Sequence, residues 1–121
     1  MVEAGIRICV PPEKLTEVLQ TFKAMLDPIR HQPGCISCSC YIDAESENNI
    51  CLIEEWQSGS DLNLHLQSVH FGILDGAMKL LVEPPDMRFH TIASTASAET
   101  IRVARTHECH GLKITLTPEE V

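Results

Sequence analysis

The sequence predicts an α+β fold of order β-α-β-β-α-β, a four-stranded antiparallel sheet carrying both helices on one face. Three observations carry this reading. Four segments alternate apolar and polar residues with the period of a half-buried strand. Two others repeat their apolar residues with the period of a helix, and proline pairs or polar turns stand between the segments. At 121 residues one domain is expected. Residues 1–94 hold all six elements, and residues 95–121 form a C-terminal extension.

In residues 3–10, Ile6, Ile8 and Val10 share one side while Gly5, Arg7 and Cys9 share the other, and Pro11-Pro12 stops the strand. From Pro12 the period changes. Leu15, Val18, Leu19, Phe22, Leu26 and Ile29 fall at helical spacing, opposite Glu13, Lys14, Glu17 and Lys23. Pro28 predicts a break or kink near the end of this helix.

After Pro33-Gly34, residues 35–43 (CISCSCYID) set Ile36, Cys38, Cys40 and Ile42 against Ser37, Ser39 and Tyr41. A polar turn over residues 44–49 joins them to residues 50–57 (ICLIEEWQ), which predicts a β-hairpin. Ser58 or Ser60 can cap the next helix, with Asp61 in its first turn and Leu62, His65, Leu66 and Val69 along its apolar stripe. A further helical stretch runs over residues 71–81 until Pro84-Pro85, and residues 87–93 alternate as a fourth strand. In the extension, residues 100–105 (TIRVAR) and 113–117 (KITLT) read as short strands able to add to a sheet edge of this subunit or a partner.

This ferredoxin-like order leaves one face of the sheet bare, with Cys9, Tyr41, Ile53 or Trp56 on it. A half-apolar face of that size calls for cover. A second copy packed sheet against sheet would supply it, giving a homodimeric α/β barrel.

Seventeen acidic residues against nine basic give a formal charge of −8, which argues against nucleic-acid and membrane-surface roles. With no long apolar run and no signal-like start in MVEAGIRICV, the expected location is the cytoplasm. Six cysteines are then expected as thiols. Cys38 and Cys40 share a strand face about 7 Å apart, with Cys51 on the partner strand, but a flat Cys-x-Cys does not wrap a zinc ion. They read as small core residues, and no metal is expected in the domain. His107, Cys109 and His110 in the extension leave a metal open there.

Three stretches come in a telling order: Pro33-Gly34-Cys35, then Glu54-Glu55-Trp56-Gln57-Ser58, then His65-Leu66-Gln67-Ser68-Val69-His70-Phe71. Together they resemble the antibiotic biosynthesis monooxygenase (ABM) family, including its quinol-monooxygenase-like members, over roughly residues 3–94. The resemblance implies a dimeric α/β barrel. It also implies, for some members, oxygen insertion from O₂ into phenolic or quinol-type substrates without metal, flavin or haem. Such chemistry asks for a proton acceptor, a donor for the developing oxyanion, and a dry cavity.

By that resemblance, His65 and His70 match the family's histidines and are the candidate bases. Trp56 matches its tryptophan and can wall an aromatic pocket, while Arg7 can hold an anion or pair with Glu54. Glu54, Tyr41 and Phe71 complete the candidate substrate-binding set with Trp56. Haem-degrading relatives need an asparagine on the first strand and a histidine early in the last helix. Arg7 and Gly72-Ile73-Leu74-Asp75 depart from both requirements.

The bland readings are a packed His65, a helix-capping His70, Trp56 as a core or interface anchor, and Arg7 neutralising a carboxylate. Glu54 and Glu55 point to opposite faces, so only one reaches a pocket. The expected function is a cofactor-independent monooxygenase acting on a small aromatic or quinol-type substrate. Its rivals are a non-catalytic small-ligand-binding or stress-response domain of the same fold, and a metal or thiol sensor.

Overall fold

Side-chain alternation along the strands decides which residues meet the helices. In β1 (Val2–Cys9), Ala4, Ile6 and Ile8 are buried, as is Val10 just beyond, while Arg7 and Cys9 are exposed. The computed structural model describes residues 1–106, and Met1–His90 form one compact unit. Its sheet has the order β2-β3-β1-β4, from β2 (Cys35–Ile42), β3 (Asn49–Trp56), β1 and β4 (Asp86–Thr91).

The central strand β3 runs antiparallel to both β1 and β2, with Cys51 opposite Arg7 on one side and Tyr41 on the other. Parity then sends Ile50, Leu52, Glu54 and Trp56 to the helix side, where all four are buried. Trp56 therefore belongs to the core and not to the open face, where the sequence reading had placed it.

A second correction lies in β2. A register shift between Cys35 and Ser37 makes Ile36 an extra residue, and its side chain is 48% exposed. The bulge restores Cys38 to the core face, opposite Glu54, and Ile42 at the strand end is exposed as well. Cys51 faces away from Cys38 and Cys40, so the three thiols do not share one side of the hairpin.

Helix α1 (Leu15–Arg30) follows a 3-10 turn at Pro12–Lys14 and buries Val18, Phe22 and Ile29. Pro28 does not end it. The helix runs two residues further because a proline in the last turn removes a single donor, and His31 closes the end onto the Asp27 carbonyl. Ser58 caps α2 (Gly59–Leu66) and Ser68 caps α3 (Val69–Met78), each hydroxyl accepting from the backbone N–H three residues on. His70 is therefore a first-turn residue of α3, a helix expected to start at Phe71.

Gly34 fixes how α2 meets the sheet. Its φ of +81° lies in the left-handed region, and a Cβ there would stand 2.2 Å from Asp61 Cγ. The Gly34 carbonyl also accepts from Gln57 N–H at 2.8 Å, which ties the turn after α1 to the end of β3.

Among the described residues, those from Thr91 to Thr106 belong to a second unit. There Glu99–Arg105 is a helix, α4, where a strand was expected over residues 100–105. Glu99 in the first turn pairs with Arg102, and Arg105 sits in the last turn, both of which favour helix. The strand expected over 113–117 and the candidates His107, Cys109 and His110 lie outside the described residues. Among the described residues no helix is long and apolar enough to cross a membrane.

Candidate functional site

Among the described residues, Glu54 and His65 are the buried polar side chains, each 1% exposed. Strand β3 aims Glu54 at the helices, and α2 turns His65 inward beside Leu62, so the two meet with Nε2 and Oε2 3.2 Å apart. The other carboxylate oxygen accepts from the Trp56 indole N–H at 3.2 Å. Trp56 and His65 stack, ring centres 4.7 Å apart and planes 24° from parallel. Phe71 meets the same imidazole edge-on at 5.6 Å.

The chain continues outward through Gln32, in the turn between α1 and β2. His65 Nδ1 lies 2.5 Å from Gln32 Oε1, and Gln32 Nε2 lies 3.2 Å from Nδ1 of the half-buried His70. Trp56, Glu54, His65, Gln32 and His70 thus form one polar line from the core to the protein's edge. Within it a buried carboxylate has two donors and a buried imidazole has a partner at each nitrogen, as low-dielectric surroundings require.

The neighbouring thiols register this charge. Burial first, and the Glu54 carboxylate second, push the Cys38 thiol up to about 12. The same two causes in the same order raise Cys35, while burial and then Cys51 raise Cys40. Protonated thiols are poor ligands and nucleophiles, so these three act as packing groups at neutral pH. Among the described residues no three His, Cys, Asp or Glu side chains cluster as a metal site.

Five of the seven candidates, His65, His70, Trp56, Glu54 and Phe71, are brought together here. Arg7 and Tyr41 are not. They lie across the sheet on the open face, so the expected alternative of an Arg7–Glu54 pair is not formed. There they line a hollow of about 420 Å³ with Cys9, Cys51, Glu83 and Asp86.

The sequence pattern of the family described as antibiotic biosynthesis monooxygenase matches residues 1–72. The chain belongs to this family. An uncharacterised protein of Synechocystis sp. is 32% identical over 96 residues, 78% of this chain and 65% of that relative. The chain therefore spans less than two thirds of this relative's length.

Among solved structures, the Rv0793 protein of Mycobacterium tuberculosis is 25% identical, with a TM-score of 0.72 over 79% of this chain and 98% of its own. A candidate antibiotic biosynthesis monooxygenase from Deinococcus radiodurans is 15% identical, with a TM-score of 0.76 over 80% and 97% of the two chains. A conserved protein of Methanosarcina mazei is 22% identical, with a TM-score of 0.69 over 74% and 89%. These last two likenesses speak to fold.

One member of the line in this ABM chain was not legible in the sequence. Gln32 joins the two histidines, yet it stands 33 and 38 residues from them in sequence, and no spacing rule links a turn amide to a distant helix.

Proposed function

We propose that this chain is a monooxygenase that oxidises a small aromatic or quinol-type substrate with O₂, with histidine as proton acceptor and no prosthetic group. The observation that supports this is the buried His65–Glu54 pair, stacked on Trp56 and joined through Gln32 to half-buried His70. A substrate phenol meets His70, the outer end of the line, and His65 with Glu54 steadies the charge that arrives there.

The deprotonated substrate passes one electron to O₂, and the radical pair joins as a peroxide. Loss of water leaves a carbonyl. The substrate loses two hydrogens and gains one oxygen, while the second oxygen of O₂ departs in the water. The family assignment supports a flat, electron-rich substrate. A homodimer closed sheet to sheet is part of the same proposal, and it brings Arg7 and Tyr41 into an enclosed space.

Oxygen uptake tests the chemistry. Full-length protein is mixed with a panel of substituted hydroquinones, and turnover is expected that His70→Ala and His65→Ala each lower at least about 100-fold. Saturable binding without uptake would overturn the enzyme reading in favour of a ligand-binding module. Light scattering at micromolar protein should give twice the chain mass, and a monomer would contradict the dimer.

A further inference from the structure

The Gln32 amide lies between two imidazoles and meets the same atom, Nδ1, of each: Oε1 at 2.5 Å from His65 and Nε2 at 3.2 Å from His70. A primary amide is an acceptor at one end and a donor at the other. While both bonds stand, only one of the two Nδ1 atoms can carry a hydrogen.

With the amide oxygen toward His65, that ring holds Nδ1–H. Its Nε2 faces a Glu54 carboxyl oxygen at 3.2 Å, which calls for a second hydrogen in that bond, so the His65–Glu54 pair then holds one proton more than in the neutral Nε2–H form of His65. His70 then accepts from the amide and is neutral, with its hydrogen on Nε2. With the amide turned by half a revolution the roles exchange. His70 carries Nδ1–H, and His65 becomes the neutral Nε2–H form, still donating to Glu54. In this second arrangement the outer nitrogen of His70, Nε2, has a free lone pair and is a base. In the first it is a donor.

Among the described residues, Cys35 and Cys38 on β2 feel the Glu54 charge, Arg30 at the end of α1 lies near both thiols, and Asp61 of α2 meets Gly34 in the turn that carries Gln32. Arg30 donates to the Cys38 carbonyl, and Asp61 is held by Ser58. Among the described residues, only Glu54 and Gln32 hydrogen-bond to the ring nitrogens of His65, and Gln32 to Nδ1 of His70.

We propose that Gln32 is a positioning residue that makes the charging of His65 and His70 mutually exclusive, its amide orientation setting whether His70 presents a basic lone pair or an N–H donor outward. The catalytic meaning of this switch rests on the function proposed above. The coupling itself is a property of the resting protein.

The test follows the imidazole nitrogens of the ¹⁵N-labelled full chain by NMR from about pH 5 to about pH 9, bracketing the ordinary histidine range. At the alkaline end His65 should be the Nε2–H form and His70 the Nδ1–H form. As the pH is lowered, only one of the two rings should become imidazolium while both Gln32 bonds stand.

Gln32→Glu presents an acceptor to both rings, so both should be able to charge together. Gln32→Leu removes both bonds and should let His70 revert to the Nε2–H form. Independent charging of both rings in the wild type, or His70 as Nε2–H at alkaline pH, would overturn the proposal even if the variants fail to fold. Coupling without oxygen uptake would sink the enzyme reading alone, and uptake without coupling would sink this one alone.

Discussion

On its helix side the sheet holds charge that is fully enclosed: Glu54 takes hydrogen bonds from Trp56 and His65, and His65 reaches Gln32 at its other nitrogen. On its open side Arg7 and Tyr41 stand exposed around a hollow of about 420 Å³, large enough for a small ligand. The same strand alternation built both faces, yet one is finished within the protomer and the other is open to something brought from outside. Polar groups on the first face are tied to the stability of the protomer. Those on the second answer to a ligand or a second copy.

The sharpest test of this contrast is a pair of aromatic truncations. Trp56→Ala removes the largest fully buried side chain and leaves a Glu54 oxygen without its donor, so it should cost about 3–5 kcal/mol in urea unfolding at every protein concentration. Tyr41→Ala should leave protomer stability within about 0.5 kcal/mol and act instead on self-association, weakening the concentration dependence that a dimer gives the melting temperature. Equal losses in the two variants would erase the distinction between the faces.

The join between α2 and the sheet gives the next effect. Gly34→Ala must hold a left-handed φ and push Asp61 out of its place beside Ser58, so about 2–3 kcal/mol should be lost. Because the same turn carries Gln32, the ¹⁵N signals of His65 and His70 should move as well. Wild-type stability in the Gly34→Ala variant would show that the turn does not fix α2.

What the sequence revealed follows the same division. Strand alternation and helical spacing are local, and they delivered the order of the six elements and the core side of β1. The ABM motifs marked His65, His70 and Trp56 as a set. Two kinds of information were not local. The bulge at Ile36 shifts phase by one residue, and nothing in CISCSCYID announces it. Parity counted from Ile50 would have put Trp56 beside Glu54 on the core side, but its place at a strand end made an outward anchor equally natural. Gln32 needed the folded turn to meet its partners.

The smallest effect at neutral pH, and the most selective, concerns the thiols. Cys38 is buried on the helix side near Glu54, and Cys9 is exposed on the open side. The Cys38 thiol titrates at 9.0 in an unpaired, solvated state and is pushed up to about 12 in the fold. Below pH 9 it is protonated in both folded and unfolded chains, and its contribution to stability is present in full. As the pH rises from 9 toward 12 the unfolded chain gives up this proton while the folded chain keeps it, so stability falls through that window. Urea midpoints should therefore drop more steeply between about pH 8 and about pH 11 for the wild type than for Cys38→Ala, whereas Cys9→Ala should keep the wild-type slope. A thiol reagent at about pH 8 should likewise label Cys9 in the native protein and reach Cys38 only on unfolding. Labelling of both at one rate would mean that the helix side opens readily, and the enclosed line of Glu54, His65 and Gln32 would then be a guest of solvent.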